Sequence, residues 1–285
     1  MDPPSDSGET IESKGYEELL NDLGKTRPQI ASVLKRAHTN RVKKLSRMQT
    51  GMRLHGLEEF LNFLELACAE MSRLPKLSKL AFLIHRAKAD YEVAIEATFS
   101  EMRDVVFDSM RDVMEIEYLL KDFTEAPDHI DEWLSQSLDD PPGKFSPANL
   151  RKRQAQILGI EPSDLPTTKD YKAHSRFLHV NPYPNPFGGK GVLDGEAASS
   201  DLFLFSSDSS FWDMYGHASS LIESIRAILL AAGDKVNPDV LSDDQLSEFR
   251  AAHVQVKDLE RMSYIMLEIA RGEAPPSNED LVPTR

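Results

Sequence analysis

Cysteine is almost absent: one residue, Cys68, stands among 285. That excludes an internal disulfide and any zinc cage built from thiolates. Long apolar runs are missing too. Stretches such as Ala227-Ile-Leu-Leu-Ala-Ala232 fall far short of the roughly 20 residues that cross a bilayer, so no membrane partner is expected. The opening Met1-Asp-Pro-Pro-Ser-Asp-Ser-Gly-Glu9 is acidic and polar, unlike a secretory signal, and cytoplasm is the expected address. Neither His-Glu-x-x-His nor Glu-x-x-His occurs, which removes the marks of zinc hydrolases and di-iron bundles. Gly188-Gly-Lys-Gly191 lacks the upstream glycine and the following Ser or Thr of a phosphate loop, and reads as a flexible connection. No internal repeat is present.

What the chain does have is acid and helical periodicity. It carries 47 Asp and Glu against 33 Lys and Arg, a net charge of −14. That balance opposes nonspecific binding of nucleic acid by the whole surface. The basic residues are unevenly spread: nine lie between Lys25 and Arg53, where no acid occurs. Within that stretch Arg36, Lys43 and Arg47 align on one helical face and are the candidate nucleic-acid contacts. Docking on an acidic partner, or on an acidic surface of the chain itself, is the competing use.

Apolar residues recur at three- and four-residue intervals through most of the sequence, and the expected fold class is all-α. Residues 1–14 read as a disordered tail, 15–54 as N-terminal helices including the basic one, 55–271 as the helical-bundle core and 272–285 as a flexible tail. In the basic helix Ile30, Leu34, Ala37, Leu45 and Met48 form an apolar stripe. Leu77 to Phe123 contains neither Gly nor Pro, and is read as one very long central helix, with two helices and a bend as the alternative. Arg103 and Glu117 project within its apolar face, and are expected either to be paired or to lie where that face meets solvent. Ser146-Pro147 opens a further helix, and Thr167 or Thr168 caps the next. Residues 181–207 are the long irregular loop, in which Val192-Leu193 and Leu202–Phe205 form a minor candidate hairpin. Ser242-x-x-Gln245 is a capping box before the last helix.

The candidate site lies on Asp170–His179. Wound as a helix, this segment gathers Tyr171, His174, Ser175 and His179 on an arc of about 140°. A hydroxyl, a phenol and two imidazoles suit hydrogen bonding to a ligand or general acid–base work. The histidines open to metal binding are His174, His179, His217 and His253, with Asp170, Asp213 and Glu223 nearby in sequence. His174 and His179 are five residues apart and too far around a helix to chelate together, so no metal and no cofactor are expected. His253, in the stripe of Leu246, Phe249 and Val256, reads as a core histidine.

Arg111-Asp-Val-Met-Glu115, followed by Tyr118-Leu-Leu and by Tyr171-x-x-x-Ser175-x-x-x-His179, resembles an uncharacterised bacterial family of all-helical proteins. That family is grouped loosely with the HEPN superfamily, and the resemblance spans residues 55 to 230. It implies a helical bundle with RNA or nucleotide chemistry, and it assigns Arg111, Glu115, Tyr171, Ser175 and His179 to the family's motif positions. The chain departs from active HEPN ribonucleases, which place four to six residues between Arg and His; Arg176 and His179 are separated by two.

Together these readings describe a bacterial helical-bundle protein that works by binding RNA, a nucleotide or a protein, in stress or defence, or by self-association. Arg111 holds an anion in this reading, and Glu115, Tyr171, His174 and Ser175 complete the site. The enzymatic alternative is a ribonuclease or phosphotransferase with His179 as general base and Arg111 stabilising phosphate. The third is an interaction protein whose polar residues saturate a buried network.

Overall fold

The computed structural model describes residues 15–48, 51–137, 143–178, 200–233 and 235–270. Among the described residues there are eleven α-helices and no strand, so the class is all-α. The helices are α1 Tyr16–Thr26, α2 Pro28–Met48, α3 Met52–Arg73, α4 Ala81–Ser100, α5 Arg103–Glu125 and α6 His129–Leu134. They continue with α7 Pro147–Leu158, α8 Pro166–Leu178, α9 Ser200–Ala231, α10 Pro238–Leu241 and α11 Ser247–Ala270. No helix among the described residues is long and apolar enough to cross a membrane. The two expected tails and residues 181–199 of the expected loop lie outside the described residues.

The very long central helix does not form. The chain turns at Glu101, a non-glycine residue at φ 62° and ψ 33°. Met102 N–H donates to the Ala97 carbonyl at 2.8 Å and Glu101 N–H to the Thr98 carbonyl at 3.4 Å. This is the bond pair by which helices close on a left-handed residue, a place glycine usually fills because a side chain there costs about 1–2 kcal/mol. Helix α2 holds the corner from outside. Asn40 Nδ2 donates to Glu101 Oε2 at 2.8 Å, and Lys44 Nζ lies 3.8 Å from Oε1. A long-range contact therefore ends the helix where the local sequence has no breaker.

After this corner α5 folds back on α4 and also packs against α7, α8 and α9. Val106, Met110, Val113, Met114, Ile116 and Leu120 are all buried, so α5 takes the central place. On its other side α4 meets α3, which packs in turn against α11. Phe60 sits between Tyr91 and Phe249, with ring centroids 4.5 and 5.8 Å away. The Tyr91 hydroxyl donates to the Met214 carbonyl at 3.0 Å, which removes the penalty of burying it.

Three local expectations are corrected. Leu202–Phe205 belongs to α9, not to a hairpin, and α9 takes up residues 200–207 of the expected loop. Proline at the first helical position opens α8, so Thr167 and Thr168 lie inside its first turn and neither hydroxyl has a partner. The apolar stripe of α2 is largely outward: Ile30, Leu34 and Leu45 are exposed, because α2 grips α4 with polar groups. Ser146 does cap α7, its hydroxyl accepting from Asn149 N–H at 3.4 Å.

His253 is packed between rings, with centroids 6.1 Å from Tyr215 and 6.0 Å from Phe249, and its Nε2 has no hydrogen-bond partner. Burial, helped by nearby Lys257, pushes its pKa down to about 4. The unfolded chain therefore takes a proton near pH 6.5 that the native chain refuses until about pH 4. Stability should fall with pH across that window by about 2–3 kcal/mol from this group. Urea titrations of wild type and His253→Phe at pH 7 and pH 4.5 isolate the effect. An equal acid loss in both proteins would contradict it.

Candidate metal centre

Spacing brings the site together. Asp170 and His174 stand four apart on α8, and Asp213 and His217 stand four apart on α9, so each pair shares one helical face. The two faces meet, and one ligand atom from each of the four residues lies within 4.8 Å of all the others. His174, Asp213 and His217 are buried, while 38 % of the Asp170 side chain is exposed and forms the solvent edge. Helix α5 adds Glu117 from beneath, itself 2 % exposed.

Both imidazoles are turned the same way. His174 Nδ1 lies 3.0 Å from the Asp170 carbonyl oxygen, and His217 Nδ1 lies 3.5 Å from Glu117 Oε1. The Asp170 carbonyl only accepts, so His174 Nδ1 carries a proton, and each Nε2 faces inward toward the aspartates. His174 Nε2 is 3.0 Å from Asp213 Oδ2. His217 Nε2 is 3.5 Å from Asp170 Oδ2 and 3.6 Å from Asp213 Oδ1. In a neutral ring that nitrogen is an acceptor, and here it faces carboxylate acceptors. Either a second proton or a shared cation must lie between them.

Burial opposes charge on His174, but hydrogen bonds to Asp170 and Asp213 outweigh it and push its pKa up to about 10. His217 is raised as well: burial again opposes, and Glu117 with the two aspartates prevails. Asp170 is held below the ordinary carboxylate value, since its bond to His174 and the nearness of His217 exceed the effect of burial. Glu117 Oε2 accepts from Ser220 Oγ at 2.6 Å and lies 3.8 Å from Lys121 Nζ, while Oε1 has no hydrogen-bond partner. Of the two outcomes expected for Glu117, these groups supply the paired one.

The neighbouring seam between α5, α7 and α8 collects much of the motif expected to be the site. Tyr171 donates to Glu115 Oε1 at 2.9 Å, and Arg111 Nε is 3.5 Å from the same oxygen. The guanidinium of Arg151 lies 4.1 Å from the Tyr171 ring centroid and that of Arg111 lies 5.7 Å away. Arg111, Glu115 and Tyr171 thus form one group. Ser175 is half-buried on the same helix, and His179 lies outside the described residues.

Of the basic face, Arg36 and Lys43 are exposed, and the side chain of Arg47 lies outside the described residues. The basic helix does dock on the chain's own acids. Arg41 pairs with Glu96, and Lys44 Nζ donates to the Thr98 carbonyl at 2.7 Å.

The histidines that meet are His174 and His217, with ring centroids 5.3 Å apart. His174 finds Asp213 and His217 as neighbours on α9. Asp170, Asp213, His217 and Glu117 were absent from the expected site, although Asp-x-x-x-His repeated at 170–174 and 213–217 is a visible signal. Comparison of the chain with known protein families, with curated proteins and with solved structures gave no match.

Proposed function

We propose that this protein is a divalent-metal-binding helical bundle, with Asp170, His174, Asp213 and His217 as the ligands. The observation that carries the reading is the spacing around His217. Its Nε2 separations of 3.5 and 3.6 Å from two carboxylates are too long for sound hydrogen bonds. They match the edge of a tetrahedral site, about 3.4 Å when ligands stand roughly 2.0–2.1 Å from an ion. The surroundings resemble those that metal-binding histidines take: the Asp170 carbonyl holds Nδ1 of His174, and Glu117 stands 3.5 Å from Nδ1 of His217. A divalent ion between neutral rings would supply the same charge that two protonated imidazoles bring to the three carboxylates, with Lys121 bordering the remainder.

The donor set names the class of ion. Two imidazole nitrogens with two carboxylates suit Zn2+, Mn2+, Fe2+ or Co2+ over Mg2+ and Ca2+, which prefer oxygen alone. Protein purified without chelator and dialysed should retain one such ion per chain by mass spectrometry of the metal. Asp213→Ala should abolish retention. Glu117→Gln, which touches no ion, should weaken Zn2+ affinity by about 10–100-fold through His217. A wild-type chain that takes up neither Zn2+ nor Mn2+, nor Fe2+ under reducing conditions, would sink the reading.

A further inference from the structure

The four ligands come from two helices that share little else. Helix α8 rests on α5: the Tyr118 hydroxyl donates to the Thr167 carbonyl at 3.1 Å, and the Phe107 ring lies edge-on to His174, with centroids 5.3 Å apart. Among its described side chains only Thr168 and His174 are buried, and both are polar. Its contact with α9 runs through the ligand cluster itself, as His174 against Asp213, Asp170 against His217, and the two imidazoles with centroids 5.3 Å apart. Among the described side chains, the contacts that fasten α8 to α9 are these polar ones.

We propose that the metal centre is a latch, in which a divalent transition ion bound by Asp170, His174, Asp213 and His217 fastens α8 to α9, and loss of the ion frees α8. The inference rests on the metal reading above and goes beyond it, since an ion can bind without controlling the helix. The physical argument is that coordination joins residues 39 apart in sequence across two helices. Binding energy gained only in the closed arrangement is energy of docking. With the ion removed, only protonated His174 and His217 are left to bridge Asp170 and Asp213 across the seam, and each must take up its proton against burial. Freed α8 uncovers the face of α5 that carries Phe107, Glu115 and Tyr118.

Hydrogen exchange of the full chain tests this, first stripped with EDTA and then given one equivalent of Zn2+, with metal content measured on the same samples. Amides of Pro166–Leu178 should slow by about 10-fold or more on Zn2+ addition, while those of α3, Met52–Arg73, stay unchanged. Asp170→Asn, at the solvent edge, should fold normally and lose most of that protection. Zn2+ bound at one per chain with α8 exchange unchanged would overturn the latch and leave the metal reading standing. Failure of the wild type to take up Zn2+, Mn2+ or, under reducing conditions, Fe2+ would overturn both.

Discussion

A metal-free His217→Ala chain is expected to be about 3–5 kcal/mol less stable than metal-free wild type, the range seen when one partner of a buried ionic group is removed. The ring of His217 lies 3.5–3.6 Å from Glu117, Asp170 and Asp213 at once. Its removal leaves those carboxylates facing one another with Lys121 and His174 as the remaining cations nearby. A cavity the size of an imidazole also destabilises, so the size of the loss alone does not identify the cause. Adding Asp213→Asn to His217→Ala separates the two. If opposed charge dominates, the double variant should regain at least about 1.5 kcal/mol over the single one in urea unfolding, because interacting sites are not additive. If the cavity dominates, the second change recovers nothing. A loss below 1 kcal/mol in the single variant would mean that the cluster is not an ionic network at all.

Gly56→Ala should destabilise the fold by about 2 kcal/mol, against the usual gain from replacing a helical glycine. A Cβ there would stand 2.9 Å from the Ala252 Cβ and 3.0 Å from the Phe249 Cα, and against the Tyr215 hydroxyl. That hydroxyl donates to the Arg53 carbonyl at 2.6 Å and has no free direction in which to retreat. Helix α11 must therefore back away from α3 along their whole contact. Gly216→Ala is the internal control, because nothing lies within 4 Å of its added Cβ. It should stabilise by about 0.5–1 kcal/mol. Thermal unfolding of both variants is sufficient: equal shifts in the same direction would remove the close-approach argument for Gly56.

The sequence disclosed helices best where one face of each is apolar and buried. Phe211, Tyr215, Ala218, Ile222, Ile225 and Leu229 predict the buried side of α9, and all six are buried. Val106, Met110, Val113 and Leu120 do the same for α5. The break between α4 and α5 was not legible, because Glu101 is an ordinary residue that Asn40 and Lys44 hold in a glycine-like conformation from a distant helix. The outward stripe of α2 misled for the opposite reason: its grip on α4 is polar, so its periodicity marks no core.

The candidate site divides along the same line. Tyr171, Glu115 and Arg111 were named from the sequence, and they do touch. Asp170–His174 and Asp213–His217 were each readable as pairs on one helical face, since four-residue spacing is a property of the helix alone. By itself, then, the sequence determined an all-helical chain, its core faces and which side chains travel together on each helix. Only the tertiary structure decided that α8 faces α9, turning two ordinary Asp-x-x-x-His pairs into one four-ligand cluster over Glu117. Helical periodicity is local and is written in three- and four-residue steps. The meeting of residues 39 apart depends on how α5 packs between its neighbours, which no short stretch of sequence encodes.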